Sequence, residues 1–299
     1  MSIGQSELVN PRACNLCGGR EVRPLYEVDG FHIVRCVRCD LIYVAEQVGQ
    51  KQLSEYYGEA YYTGAQDKGY ADYIGRRDSR KHHFRSLIPS IKRHLNVESP
   101  RVLDVGCAAG CFLEVAREKG WEAQGVELSA FAAEYARSRL GLQVFTGTLN
   151  EAALAGTSFD LITFWDVIEH VPDPLAVLRE ARRLLRPNGL VAVSTGDICG
   201  VTARVYGRRW ALLAPPGHLF YFSRRTLFGM LRQIGFEVLQ WQSDGSFLLN
   251  GDESEAEGAL GWRPPAIVVA LHHNRWVNAV LRRLRLGSIM TVYARKCGA

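Results

Sequence analysis

The stretch Arg101-Val-Leu-Asp104-Val-Gly106-Cys107-Ala108-Ala-Gly110-Cys111-Phe-Leu113 constrains the fold of this chain more than any other. It reads as a short buried strand over 101–105, a turn of small residues, and a helix opening near Gly110. That sequence of elements lets a nucleotide-like ligand approach the backbone, because small residues lack the Cβ atoms that would block it. No Gly-Lys-Ser/Thr follows the spacing Asp104-x-Gly106-x-x-x-Gly110, which argues against a phosphate-cradling P-loop. The absence of Gly at 108 fits the dinucleotide fingerprint poorly. Glu127 ends the next apolar run, 121–126, where an acid can accept both hydroxyls of a ribose.

Strands and helices then alternate. Strands are expected over 101–105, 122–126, 142–146, 159–165 and 189–195, with helices over 110–119, 130–139 and 173–186. This alternation predicts an α/β, Rossmann-like, doubly wound parallel sheet with its ligands at the carboxyl ends of the central strands. Asp104 and Gly106, Glu127, Gly147 to Leu149, and Asp166 all fall at such ends.

The turn, the ribose acid and the stretch Phe159-Asp-Leu-Ile-Thr-Phe-Trp-Asp166-Val-Ile-Glu169-His170-Val-Pro-Asp-Pro174 together resemble the class I S-adenosylmethionine-dependent methyltransferases. Within them the chain is most similar to the ubiquinone-biosynthesis O-methyltransferases and to methyltransferases of glycan and natural-product clusters, well over residues 99–245 and loosely elsewhere. Ala108 stands where many members carry Gly. The resemblance implies S-adenosyl-L-methionine as cofactor, held by Asp104, Gly106, Cys107, Ala108, Gly110, Glu127, Leu128, Thr148, Leu149 and Asp166. Many relatives have an acid after the third strand for the adenine amine. Here Thr148 or a backbone carbonyl is left to serve. The resemblance also implies an antiparallel last strand, here 288–295, and a lid over the cofactor from residues preceding the sheet. Cys107 and Cys111 flank the turn and read as small packing residues rather than metal ligands.

Asp166, Glu169 and His170 can face one pocket, and two chemistries are open to them. His170, with an ordinary pKa near 6.5, can act as general base on a hydroxyl acceptor. Alternatively the trio can hold a divalent metal that acidifies the hydroxyl. His218, in Pro215-Pro-Gly-His218-Leu-Phe-Tyr-Phe222, supports either role. The set Asp166, Glu169, His170 and His218 resembles the metal ligands of small-RNA 3′-end methyltransferases. Its first three members resemble the set proposed for ubiquinone O-methyltransferases. In metal-independent relatives the same Glu-His-Val orients the sulfonium ligand.

Residues 1–50 carry Cys14-x-x-Cys17 and Cys36-x-x-Cys39, the spacing of a four-cysteine zinc ribbon. Gly18 and Gly19 follow the first knuckle, where backbone amides can turn back toward sulfur. So short a segment buries little core, so a metal would contribute its folding energy. Ribbons often grip nucleic acid. The arginines and acids here are balanced rather than striped, and the net charge of the 299-residue chain is only +5, which argues against RNA.

Residues 51–98 form a tyrosine-rich helical connector or lid. Tyr56, Tyr57, Tyr61, Tyr62, Tyr70 and Tyr73 are half of the chain's 12 tyrosines. They either join the ribbon to the main domain or offer flat faces to a sugar. An amphipathic helix is expected over 71–95, with a stripe of Tyr73, Ile74, Phe84, Leu87, Ile88, Ile91 and Leu95. Pro89 should kink or break it, and His82, His83 and His94 should lie on its surface.

The main domain, 99–299, carries acceptor-side insertions over 196–223 and 246–287. In the first, Trp210, Phe220, Tyr221 and Phe222 read as pocket wall or core. Arg204, Arg208, Arg209, Arg224 and Arg225 suit an anionic acceptor, or form a solvated basic face. A helix over 224–234, capped by Gly235, and a strand over 236–242 follow. A polar acidic loop is expected to 261. The basic amphipathic stretch 266–286 reads as a helix packed on the body, a dimer contact or a peripheral membrane contact near a lipid-linked substrate. No apolar run of about 18 residues spans a membrane. The first seven residues show no signal pattern, so the chain is expected in the cytoplasm. The sequence therefore predicts a methyltransferase acting on a hydroxyl of a sugar, glycan or secondary metabolite. The rival readings are an RNA methyltransferase and a non-catalytic cofactor-binding scaffold.

Overall fold

The computed structural model describes residues 12–65, 72–244 and 283–298, with positions 276 and 280. Tyr70, the loop 245–261 and most of the stretch 266–286 lie outside the described residues.

The chain opens with three antiparallel strands, β1 (Val22–Val28), β2 (Phe31–Cys36) and β3 (Ile42–Val44). Three helices follow: α1 (Gln50–Tyr56), α2 (Glu59–Thr63) and α3 (Arg77–His94). The alternating part then runs β4 (Arg101–Val105), α4 (Cys111–Glu118), β5 (Glu122–Glu127), α5 (Ala130–Leu140), β6 (Gln143–Thr146), β7 (Phe159–Trp165), α6 (Pro174–Leu184) and β8 (Leu185–Gly196). After α7 (Val201–Tyr206) and a 3-10 turn at Gly207–Arg209 come β9 (Phe220–Tyr221), α8 (Arg224–Gln233), β10 (Phe236–Asp244) and β11 (Ile289–Lys296).

The main sheet has the order β10-β11-β8-β7-β4-β5-β6. The pairs from β6 to β8 are parallel, and β11 is inserted antiparallel between β8 and β10. This is the Rossmann-like α/β fold expected from the alternation. The chain moves outward from β4 through β5 to β6, then returns to the other side of β4 with β7. That reversal is the switch point at which such sheets bind ligands.

Three local expectations are corrected. The helix over 71–95 begins only at Arg77 and runs unbroken through Pro89. An interior proline costs about 3 kcal/mol or more. Burial of Leu87, Ile88 and Ile91 against Phe112, Val115, Ala116 and Trp121 outweighs that cost. His94 is half-buried, not a surface residue, and its Nε2 lies 3.0 Å from Gln240 Oε1 on β10. The helix expected over 173–186 stops at Leu184, because Leu185 pairs with Phe159 and begins β8.

The amino-terminal strands do not stand alone. Ile42 and Tyr43 of β3 pair with Tyr221 and Phe220 of β9, giving a second sheet of order β1-β2-β3-β9. Trp210, Leu212, Leu213 and Tyr221 pack with Ile33, Ile42 and Val44 in one buried cluster, so the aromatics at 210 and 220–222 are core rather than pocket wall. Asn15 adds a second weld: its side chain donates to Asp173 Oδ1 (2.8 Å) and accepts from the Leu175 amide (3.0 Å) at the start of α6. No helix among the described residues is long and apolar enough to cross a membrane.

Candidate active site

A cavity of about 350 Å³ lies beyond the carboxyl ends of β4, β5, β6 and β7. Its floor is the small-residue turn. Gly106 has φ +69°, and a Cβ there would collide with the Val167 side chain. Ala108 also sits at positive φ (+47°), a conformation uncommon outside glycine because the Cβ crowds the carbonyl oxygen, so the turn holds it there at some cost. Gly110 (φ +84°) starts α4.

Glu127 organises one wall. It is 5% exposed, and its two oxygens accept from the Ala108 amide (2.8 Å) and the Ser129 amide (2.7 Å). Burial raises its pKa, while those amides and the Tyr62 hydroxyl oppose the rise. The carboxylate thus ties the turn after β4 to the start of α5 and still faces the cavity. Leu128, Thr148 and Leu149 line the cavity too. Glu151, the acid nearest the third strand end, accepts from the Thr148 amide (2.7 Å) and hydroxyl (2.8 Å).

Three expected cofactor contacts fall outside the lining. Asp104 is 2% exposed beneath the turn, accepting a 2.6 Å hydrogen bond from the Thr163 hydroxyl. Burial pushes its pKa up to about 8, with the Glu127 charge adding to the rise. Cys107 packs among Leu113, Ala133 and Val144, and Cys111 beneath Tyr62 and Tyr73. Both are small core residues, and Gly110 serves the turn itself.

The opposite wall is built from α1, α2 and α3. Tyr57, Tyr61, Tyr62 and Tyr73 reach the cavity as a chain of edge-on rings with centroids 4.8–5.3 Å apart. Arg80 and Phe84 extend this wall. Sequence reasoning left open whether the tyrosines are glue or platform. Their place over the cavity could have been signalled only by their density, since nothing local fixes which way a ring turns.

His170 lines the cavity beside Tyr57 and Asp166. Its Nδ1 lies 2.9 Å from the Gly217 carbonyl oxygen and 2.6 Å from the Tyr57 hydroxyl, which donates to that same carbonyl at 3.1 Å. A carbonyl only accepts, so the tautomer protonated on Nδ1 is the one that satisfies the Gly217 contact, and in it Nε2 carries the lone pair. Burial lowers the His170 pKa, so the ring is neutral near pH 7. His218 does not line the cavity. Its ring meets that of His170 edge-on, with centroids 4.5 Å apart.

The expected second metal site does not close. Among the described residues, Asp166, Glu169, His170 and His218 do not bring three ligand atoms together. Asp166 (φ +54°) is held by the Ser194 hydroxyl at 2.8 Å. Glu169 is buried, among the described residues its Oε2 has no hydrogen-bond partner, and burial pushes its pKa up to about 8. Its carbonyl accepts from the Leu219 (2.8 Å) and Phe220 (3.2 Å) amides, which fixes the His218 loop beside His170.

The four amino-terminal cysteines do come together. Their sulfurs all lie within 4.8 Å of one another, with Cys14–Cys39 at 3.4 Å and Cys17–Cys36 at 3.5 Å. Sulfurs about 2.3 Å from one tetrahedral ion sit about 3.8 Å apart, so the cluster fits zinc. The Gly19 amide hydrogen-bonds the Cys17 sulfur, as the glycines after the first knuckle suggested. Burial pushes the Cys14 thiol up to about 11, a rise that a bound cation reverses.

Of the five arginines over 204–225, Arg208 and Arg209 are exposed on the 3-10 turn, away from both cavities. Arg204, Arg224 and Arg225 line a second, separate cavity.

A family described as Methyltransferase domain matches residues 79–241. The ubiquinone biosynthesis O-methyltransferase of Methylococcus capsulatus is 35% identical over 183 residues, covering 58% of this chain and 72% of that protein. The protein of the same name from Stutzerimonas stutzeri is 31% identical over 111 residues, 35% of this chain and 48% of that one. The chain thus spans about half the length of the latter relative. A crystal structure of a SAM-dependent methyltransferase from Archaeoglobus fulgidus covers 74% of this chain and 94% of its own, with a TM-score of 0.51 and 19% identity, a likeness of fold.

Proposed function

Because the chain belongs to the methyltransferase-domain family, we propose that it is an S-adenosylmethionine-dependent O-methyltransferase acting on a hydroxyl of a sugar, glycan or secondary metabolite. The observation that carries this reading is one cavity holding both Glu127, cross-tied to the turn, and a neutral His170. S-adenosylmethionine, when bound, supplies an electrophilic methyl on a sulfonium. Glu127 accepts from the ribose hydroxyls, and Gly106 and Ala108 let the ligand approach the backbone. His170 Nε2 would take the proton of the acceptor hydroxyl as that oxygen accepts the methyl group. Tyr57 and Gly217 hold the imidazole in the tautomer that keeps Nε2 free. The tyrosine wall excludes water and aligns the acceptor, which contributes to the rate by orientation.

Cys14, Cys17, Cys36 and Cys39 are proposed to hold a structural zinc. The cytoplasm remains the proposed setting. Methyl transfer from labelled S-adenosylmethionine into fractionated small metabolites, lipid-linked glycans, RNA and protein tests the function. Label in RNA would instead favour the nucleic-acid reading.

A further inference from the structure

The second cavity, about 330 Å³, lies beyond the carboxyl end of β8, where the amino-terminal sheet meets the acceptor-side insertion. Four arginines from three separate elements line it: Arg35 on β2, Arg204 on α7, and Arg224 and Arg225 at the start of α8. Ile42, Ile198 and Cys199 line it as well, so the arginines border a partly apolar hollow.

The positive charge there is not balanced. Arg225 pairs with Asp40 at 2.6 Å, and Arg224 reaches the buried Asp197 only at 3.9 Å while its guanidinium lies over the Trp241 ring. Among the described residues Arg35 and Arg204 make no ion pair. Burial and the Asp197 carboxylate raise the Cys199 thiol, and the charges of Arg204, Arg224 and Arg35 oppose that rise; Arg204 and Arg224 also act on Asp197. Gathering like charges around a partly apolar hollow is unfavourable unless an anion joins them. Guanidinium forks match phosphoryl oxygens two at a time. Ser223 begins α8, whose first-turn amides point toward negative charge.

We propose that this cavity binds a pyrophosphate-class anion, carried by the acceptor as a phosphorylated or nucleotide-linked group. The assignment to the acceptor rests on the methyltransferase reading; the anion site itself does not. Asp40, on the second cysteine knuckle, occupies one of the four guanidiniums and so limits affinity when no anion is present.

The test is calorimetric titration of the full chain with inorganic pyrophosphate, with and without saturating S-adenosylhomocysteine. Both ligands are expected to bind together. R35Q/R204Q should weaken pyrophosphate by about tenfold for each arginine lost and leave S-adenosylhomocysteine unchanged. D40N, which releases Arg225 and keeps a residue tolerant of positive φ, should tighten it. In the transfer assay the labelled product should be retained on anion-exchange resin. Absent pyrophosphate binding, affinity indifferent to R35Q/R204Q, or displacement of S-adenosylhomocysteine by pyrophosphate would overturn the site. Label confined to uncharged product would overturn its assignment to the acceptor. Pyrophosphate binding without S-adenosylhomocysteine binding would sink the methyltransferase reading and leave the anion site standing.

Discussion

Ile42 of the cysteine-bearing sheet and Tyr221 of the main domain face each other across an antiparallel ladder. The two-residue strand that supplies Tyr221 follows His218 and Leu219 directly, and the carbonyl of Gly217 holds His170. The ribbon is therefore a buttress for the proposed base.

Metal removal should accordingly reach the active site. Treatment with a strong zinc chelator is expected to expose residues 12–44 to proteolysis and to lower methyl transfer. Zn²⁺ should restore activity and Mg²⁺ should not, since Asp166, Glu169, His170 and His218 do not converge. Restoration by Mg²⁺ or Mn²⁺ would revive the second metal site; full activity and unchanged proteolysis after complete zinc loss would dismiss the structural metal.

Glu127→Ala should weaken S-adenosylhomocysteine by about 10- to 100-fold, the effect of losing one hydrogen bond to a charged group. Some of that loss reflects the freed amides of Ala108 and Ser129. Calorimetry against Glu151→Ala, whose carboxylate serves Thr148, supplies the comparison. Equal affinities in the two variants would remove Glu127 from the ribose site.

His170→Ala is expected to lower kcat by about 10²- to 10⁴-fold while the cofactor still binds. In the parent enzyme, activity should rise as pH increases through a midpoint below 6.5, because burial favours the neutral imidazole, and then level off. His218→Ala should cost less and move that midpoint, since His218 meets the His170 ring edge-on. A profile still climbing above neutral pH would point to another base.

Asp104 leads to a stability prediction. Its pKa is raised from 3.8 to about 8, so the stability it contributes is complete below the lower value and lost as pH rises through the higher one. Asp104→Asn keeps an acceptor for the Thr163 hydroxyl without a titrating proton. It should melt above the parent at pH 8, converge with it near pH 4, and still bind S-adenosylhomocysteine. A variant that loses cofactor binding at every pH would return Asp104 to direct contact.

The main sheet was legible because hydrophobic runs and small-residue turns are local signals. β4, β5 and β7 stand within a residue of their expected bounds, and the antiparallel last strand lies where the family resemblance put it. The cysteine cluster was legible from spacing alone. Long-range contacts were not. Nothing around Phe220 announces that it pairs with Tyr43, and no pattern near Arg35 says it joins Arg204. Asp104 resembled a ligand contact in sequence, but the strand's pleat turns it inward to Thr163. Pro89 misled for the opposite reason, since packing overrode a local rule.

The most direct test of the central claim is methyl transfer from radiolabelled S-adenosylmethionine into fractionated extract, run beside Glu127→Ala. Label should enter the small polar metabolite or glycan fractions and fall sharply in the variant. Label in RNA, or none in any fraction while S-adenosylhomocysteine binds, would contradict a small-molecule O-methyltransferase.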